Sequence, residues 1–119
     1  MNFKEFEAEY TYDYQLDVIN IEVKQEYIHN KSIELEFGVF LDFDEDYIPV
    51  NLEIVSASKV MGVEKDCLIN PKGNVNIVIR GNTIDVEVIF NFKKNNESLQ
   101  LITLNDCGFP NSQTSFALV

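Results

Sequence analysis

The stretch Ser32–Asp46, SIELEFGVFLDFDED, constrains the fold of this chain most. Ile33, Leu35, Phe37, Val39, Leu41 and Phe43 occupy every second position, and Glu34, Glu36, Asp42 and Asp44 fall between them. Alternation with period two sends neighbouring side chains to opposite faces of a strand. One face is then an apolar wall and the other is largely acidic, so this stretch reads as a central strand of an antiparallel sheet.

The same pattern recurs along the chain. Phe6, Ala8, Tyr10, Tyr12, Tyr14, Leu16 and Val18 share one parity, with Glu5, Glu7, Glu9, Thr11, Asp13, Gln15 and Asp17 on the other. Phe3, Phe6 and Tyr10 also have helical spacing, but three tyrosines and a threonine favour a strand. The apolar parity then flips to Ile19, Ile21 and Val23, as a β-bulge or a change of sheet near Val18–Asn20 would require. A turn at His29-Asn30-Lys31 would fold Ile19–Val23 back on the organising stretch, with Ile19 facing Leu41, Ile21 facing Val39 and Val23 facing Phe37.

Ile48, Val50, Leu52 and Ile54 make a further strand, with Pro49 marking its start or a sheet edge. Residues 56–74 are irregular, with room for one short strand before a turn at Asn70-Pro71-Lys72-Gly73. The clearest hairpin turns at Gly81-Asn82, a Gly-first loop suited to a type II′ turn. It sets Ile79 against Ile84, Ile77 against Val86 and Val75 against Val88. Lys93-Lys94-Asn95-Asn96-Glu97 turns the chain again. Leu99–Leu104 and Phe116–Val119 read as two more strands around a loop over Asn105–Thr114.

The expected fold is an all-β antiparallel β-sandwich, immunoglobulin-like or jelly-roll-like, with about 7–9 short strands. Residues 1–119 are expected to form one domain. A chain of this length can bury roughly two-thirds of its unfolded surface, enough for a core without metals or staples. Phe37, Val39, Leu41, Ile77, Ile79, Val86 and Val88 are the expected centre of that core.

Charge narrows the function. The net charge is −11. Residues 1–57 hold fourteen acids and three lysines, a net of −11, whereas residues 58–119 hold six acids and six bases, a net of zero. Such a field repels nucleic-acid phosphates and anionic membranes and attracts basic proteins. Direct nucleic-acid binding and membrane association are therefore not expected. No apolar run nears the roughly 20 residues of a membrane helix. The opening MNFKEFEAEY is acidic and lacks the apolar centre of a secretory leader, so the cytoplasm is the expected compartment.

Three constellations could carry chemistry. Asp42, Asp44, Asp46 and Glu53 echo the oxygen spacing of a calcium-binding EF-hand loop, but Tyr47 stands where that loop needs glycine and Pro49 follows. The expected reading is a solvated hairpin tip without metal. The single histidine, His29, with Cys67 or Cys107 and an aspartate would be a minimal thiol site; a polar turn histidine and two free, part-buried thiols are expected instead, and no enzyme activity or cofactor. The third is the acidic outer face itself. Glu5, Glu7, Glu9, Asp13 and Asp17 share one parity, and Glu34, Glu36, Asp42 and Asp44 share another; in one sheet they would form a ribbon of carboxylates. The expected function is non-catalytic docking of a basic protein through this face, in the manner of an inhibitor that imitates nucleic acid. The alternative is a structural or assembly subunit of a virion, tail or surface complex that self-associates into homo-oligomers.

Overall fold

The computed structural model describes residues 2–36, 38–92 and 96–119. Nine strands follow one another: β1 (Asn2–Asp13), β2 (Val18–Val23), β3 (His29–Glu36), β4 (Val39–Asp44), β5 (Pro49–Val55), β6 (Lys72–Arg80), β7 (Thr83–Asn91), β8 (Asn96–Leu104) and β9 (Ser112–Leu118). Between β5 and β6 lie a short helix, α1 (Ala57–Met61), and one turn of 3-10 helix over Lys65–Leu68. The chain is all-β, as the alternation requires. It forms one sheet, ordered β3-β4-β5-β2-β1-β9-β6-β7-β8, which curls until β3 and β8 come near each other, so that it is a nearly closed barrel and not a two-sheet sandwich. The sheet is mixed: β1 and β9 run parallel, and every other described ladder is antiparallel.

The Gly81-Asn82 hairpin has the register the sequence implies, with Ile79 opposite Ile84, Ile77 opposite Val86 and Val75 opposite Val88. The positive φ falls on Gly81 and not on Asn82, which is the type II′ arrangement. Two other pairings differ from the sequence expectation. Residues 32–46 are not one strand but a tight hairpin. The chain reverses beside Gly38, at φ +76, where the Glu34 carboxylate accepts the Gly38 N–H at 3.1 Å. Ile33 then faces Leu41, odd opposite odd, so the alternation runs through the turn unbroken. Strand β2 pairs with β1 and β5 and not with this stretch; Ile19 faces Tyr12 and Ile54. The parity flip near Val18 is a hairpin turn over residues 14–17 whose register sets even positions opposite odd ones.

Elsewhere, Pro49 begins β5 beside a register shift against Phe43, although β5 is an interior strand. The irregular stretch after Ser56 is helical where a short strand was expected. Of the turn expected over Lys93-Lys94-Asn95-Asn96-Glu97, residues 93–95 lie outside the described residues, while Asn96 and Glu97 already belong to β8; Phe37 also lies outside the described residues.

The inward side chains form one continuous cluster. Leu41, Ile77 and Ile79 are fully buried, and Val39, Val86 and Val88 nearly so. Both barrel ends are closed by segments fastened through polar groups. At one end, α1 is capped from outside its own sequence. The Asp17 carbonyl accepts the Ala57 N–H at 2.9 Å, and its carboxylate accepts the Ser58 N–H at 3.0 Å and the Ser58 hydroxyl at 2.7 Å. The Tyr12 hydroxyl donates to the same carboxylate at 2.6 Å, and the Tyr10 hydroxyl donates to the Leu68 carbonyl at 2.7 Å. At the other end, Asn105 holds the loop before β9 by donating to the Gly81 and Phe109 carbonyls while accepting the Phe109 N–H. That loop stacks Phe109 on Phe43, ring centroids 4.0 Å apart.

Leu41 sits at zero exposure in the middle of this core. Leu41→Ala is expected to lose about 2–5 kcal/mol in denaturant melts, the range for a large-to-small change that leaves a cavity. A loss well under 1 kcal/mol would mean that the site collapses freely or is not central.

Candidate protein-docking face

Strands β1 to β5 are the first five in sequence and also five adjacent strands in the sheet. The acidic half of the chain therefore becomes one continuous convex side of the barrel. Its outward positions line up in rows across the strands. One row runs Glu9, Glu22, Asn51, Asp42, Ser32, and the next runs Thr11, Asn20, Glu53, Phe40, Glu34.

Glu5, Glu7, Glu9 and Asp13 stand exposed on β1, and Glu34 and Glu36 stand exposed on β3. These two sets share a sheet but flank it, with β2, β5 and β4 between them. At about 4.8 Å per strand they lie roughly 19 Å apart along the curve. Two residues outside the sequence-derived set, Glu22 and Glu53, add acids between these flanks, while Asn51, Asn20 and Phe40 interrupt the rows, so the carboxylates form a scattered acidic face and not an unbroken ribbon. Glu22 and Glu53 have the outward parity of their strands, so alternation alone could have included them once β2 and β5 were placed beside β1. A shallow groove over the sheet is lined by Glu9, Thr11, Asn20, Glu22 and Asn51.

The acids of this face differ in what they hold. Asp42 is half-buried and accepts from the Ser32 hydroxyl at 2.6 Å and the Asn51 amide at 3.1 Å. Glu22 accepts from the Tyr27 hydroxyl at 2.5 Å, and burial together with that carboxylate pushes the Tyr27 hydroxyl well above its ordinary pKa. Asp44 is a turn residue: its Oδ1 accepts the N–H groups of Asp46 and Ile48, both at 2.9 Å. Glu7 and Glu9 make no side-chain hydrogen bond among the described residues. His29 Nε2 lies 4.0 Å from Asp42 Oδ1 on this side, an ion pair only when the imidazole is protonated.

Asp17 does not belong to the face. It is 8% exposed, faces α1, and its carboxylate is taken up by Tyr12 and Ser58. It is a structural cap whose parity on the turn resembles that of a surface acid.

His29 lies beside Ser32, Nε2 to Oγ 2.9 Å, and Ser32 in turn donates to Asp42. The serine proton thus points to the carboxylate and not to the imidazole, the reverse of a nucleophile–base pair. Cys67 and Cys107 are free and exposed, where part-buried thiols were expected; Cys67 lines a shallow cleft beside α1, and Cys107 lines a different one near Asn30 and Tyr47. Among the described residues no three His, Cys, Asp or Glu side chains converge as metal ligands would, and no helix is long and apolar enough to cross a membrane. No known protein family matches the sequence, and no curated protein or solved structure is detectably similar to it.

Two measurements follow from these geometries. Burial alone would push the Asp17 carboxyl up; the hydrogen bonds from Tyr12 and Ser58, with the charge of Lys65, outweigh burial and hold it below its ordinary value. The folded state then binds this proton less readily than the unfolded chain. The stabilisation is present above the ordinary aspartate range, about pH 3.9, and is lost as pH falls through the folded value. Asn keeps the left-handed backbone at this position, where φ is 58. Asp17→Asn is expected to be about 1–3 kcal/mol less stable than wild type at pH 7, and the gap should shrink on acidification. A gap that does not change with pH would remove the carboxylate from this role. For Asp42 and Asp44 at the end of β4, whose oxygens already hold neighbouring N–H and hydroxyl groups, millimolar calcium should barely move Tm. A rise of many degrees that vanishes in Asp44→Asn would reverse that assignment.

Proposed function

We propose that the protein is a non-catalytic interaction domain that docks a basic protein partner through the acidic outer side of β1, β2, β5, β4 and β3. One observation carries this reading: the half of the sequence with net charge −11 folds into adjacent strands, so its charge is gathered on one side of the barrel and not dispersed over it. Like charges on neighbouring strands destabilise a sheet, and Glu9 faces Glu22 directly. The cost is consistent with an acidic surface kept for recognition. Phe40, Val18 and Val55, half-buried and outward on the same side, add apolar contact of the kind found in protein interfaces. A protein site that normally meets nucleic-acid phosphate would find a comparable field here, which supports inhibition by nucleic-acid imitation as one form of this activity. The cytoplasm is the proposed compartment.

Electrostatic docking acts chiefly on the rate of encounter and weakens as salt screens it. The test starts from proteins retained from a host extract at low salt, followed by binding kinetics of each purified protein. Glu7→Lys with Glu9→Lys should slow association by several-fold or more and leave the melting temperature nearly unchanged, because both side chains are exposed. Lys72→Glu with Arg80→Glu, exposed in the neutral half, should do much less. A partner whose binding ignores both the first pair and salt would make the acidic side a solubility device only.

A further inference from the structure

We propose that the basic partner is read in the groove over β2, where it presents an extended segment with arginine at every second position. This inference rests on the docking reading above; it names the chemistry of the partner and the place where it lies.

Strand β2 runs between β1 and β5 and turns Val18, Asn20 and Glu22 outward. Two shallow clefts lie over it. Glu9, Glu22 and Asn51 line one, Asp13, Leu16, Val18 and Glu53 line the other, and Thr11 and Asn20 are common to both, so the two make one groove along the strand. No lysine, arginine or histidine lines it. Each row of the sheet brings a carboxylate to this groove. Glu9 faces Glu22 in the first row, Glu53 stands beside Asn20 in the second, and Asp13 stands beside Val18 in the third. Successive rows lie about 6.8 Å apart along a strand, and neighbouring strands lie about 4.8 Å apart. Same-face side chains of an extended segment repeat at the same spacing. Positions i, i+2 and i+4 of a segment laid along β2 therefore each meet one row, within reach of a long cationic side chain. The next position of that parity is Lys24, exposed and still tied to β1 through its N–H on the Glu7 carbonyl at 3.0 Å. That cation ends the site after three rows.

The surroundings of the carboxylates select arginine. Val18 is half-buried in the floor, Leu16 is 71% exposed at the end of the groove, and Phe40 stands beyond Glu53 in the second row. A guanidinium lays its stem and planar face on apolar surface while it forks onto a carboxylate, whereas an ammonium keeps its water. Glu53 is half-buried, and its carboxylate has no hydrogen bond or ion pair among the described residues. A cation brought by the partner meets it in a setting less screened than open solvent. Because β2 is laddered on both sides, it offers no free backbone edge, and recognition falls to side chains.

The probes are two acetylated and amidated peptides of equal charge, Arg-Thr-Arg-Thr-Arg and Arg-Arg-Arg-Thr-Thr. Each is titrated into the isotope-labelled full chain by NMR at about 0.05 M salt, where charge pairing is little screened. The alternating peptide should bind at least about threefold tighter, the size of one well-placed surface ion pair, with amide shifts centred on β2 and the strands beside it. Glu53→Gln should remove that preference. Leu16→Ser should weaken the alternating peptide several-fold without changing its salt dependence. If Glu53→Gln misfolds, Glu9→Gln with Leu16→Ser, both exposed, should weaken the alternating peptide more than Leu16→Ser alone. No binding, equal binding of the two peptides, shifts centred elsewhere on the barrel, or indifference to these variants would each overturn the groove. A natural partner slowed by Glu7→Lys with Glu9→Lys would then still support the acidic face; a partner indifferent to charge and salt would remove the docking reading itself.

Discussion

The structure depends on the parallel ladder between its first and last strands. From Asn2 opposite Ser112 to Ala8 opposite Leu118, β1 and β9 join two groups of strands that are otherwise separate. One group, β3-β4-β5-β2-β1, comes from residues 2–55, and the other, β9-β6-β7-β8, from residues 72–118. Every other described ladder lies within one group. Bringing together positions more than a hundred residues apart costs about 4 kcal/mol in loop closure, from the (3/2)RT ln n scaling. Backbone pairing alone does not supply this, because each hydrogen bond is worth only about 1 kcal/mol net and orders the residues that make it. Apolar burial at the ladder supplies the rest: Ala8 and Phe116 are fully buried, and Phe6 packs on Phe116 with ring centroids 6.3 Å apart.

With the halves joined there, the remaining problem is the open geometry at the barrel ends and at the β3–β8 seam. Two connecting segments deal with the ends, and both use aromatic and polar groups together. Residues 56–68 cover one end because the tyrosines of β1 reach them: Tyr10 bonds the Leu68 carbonyl, and Tyr12 bonds the Asp17 carboxylate that caps α1. A five-residue helix cannot hold itself in water, so this external cap is what allows α1 to stay folded. At the other end Phe109, from the C-terminal group, stacks on Phe43 of the N-terminal group, a second bridge between halves that share no ladder except β1–β9.

Parity explains what the sequence could and could not reveal. Alternation identifies strands, the buried face and the core, and Leu41, Ile77, Ile79 and Val88 occupy the places it assigns. It does not count strands. A hairpin that pairs odd positions with odd ones, like Ile33 with Leu41, preserves the alternation, so β3 and β4 read as a single strand despite Gly38. A hairpin that pairs even with odd, like Tyr12 with Ile19, breaks it, so the β1–β2 turn reads as a bulge. The Gly81-Asn82 hairpin was legible because its turn residues name its geometry. Long-range neighbours, β1 with β9 and β2 with β5, leave no local trace. Asp17 illustrates the same limit at the level of the site: its partner Ser58 lies forty-one residues away, and nothing in the sequence around the β1–β2 turn separates a buried cap from a surface acid.

The topology that hid those pairings also shapes the surface. In a sandwich with strands exchanged between sheets, an acidic N-terminal half would be interleaved with the neutral half, and its field would be diluted on every side. Here each half of the sequence keeps its own half of the sheet, so the uneven charge of the chain survives folding as an uneven charge of the molecule. The fourteen acids of residues 1–57 lie in the β1–β5 half, less Asp17, which is spent on α1. The β6–β9 half carries balanced charge and an apolar edge at Ile102 and Leu104. The barrel thereby carries its net negative charge on one group of adjacent strands and balanced charge on the other. That asymmetry follows from the strand order, because β1–β9 is the one described ladder between the two groups and every other described ladder stays within its own half of the sequence.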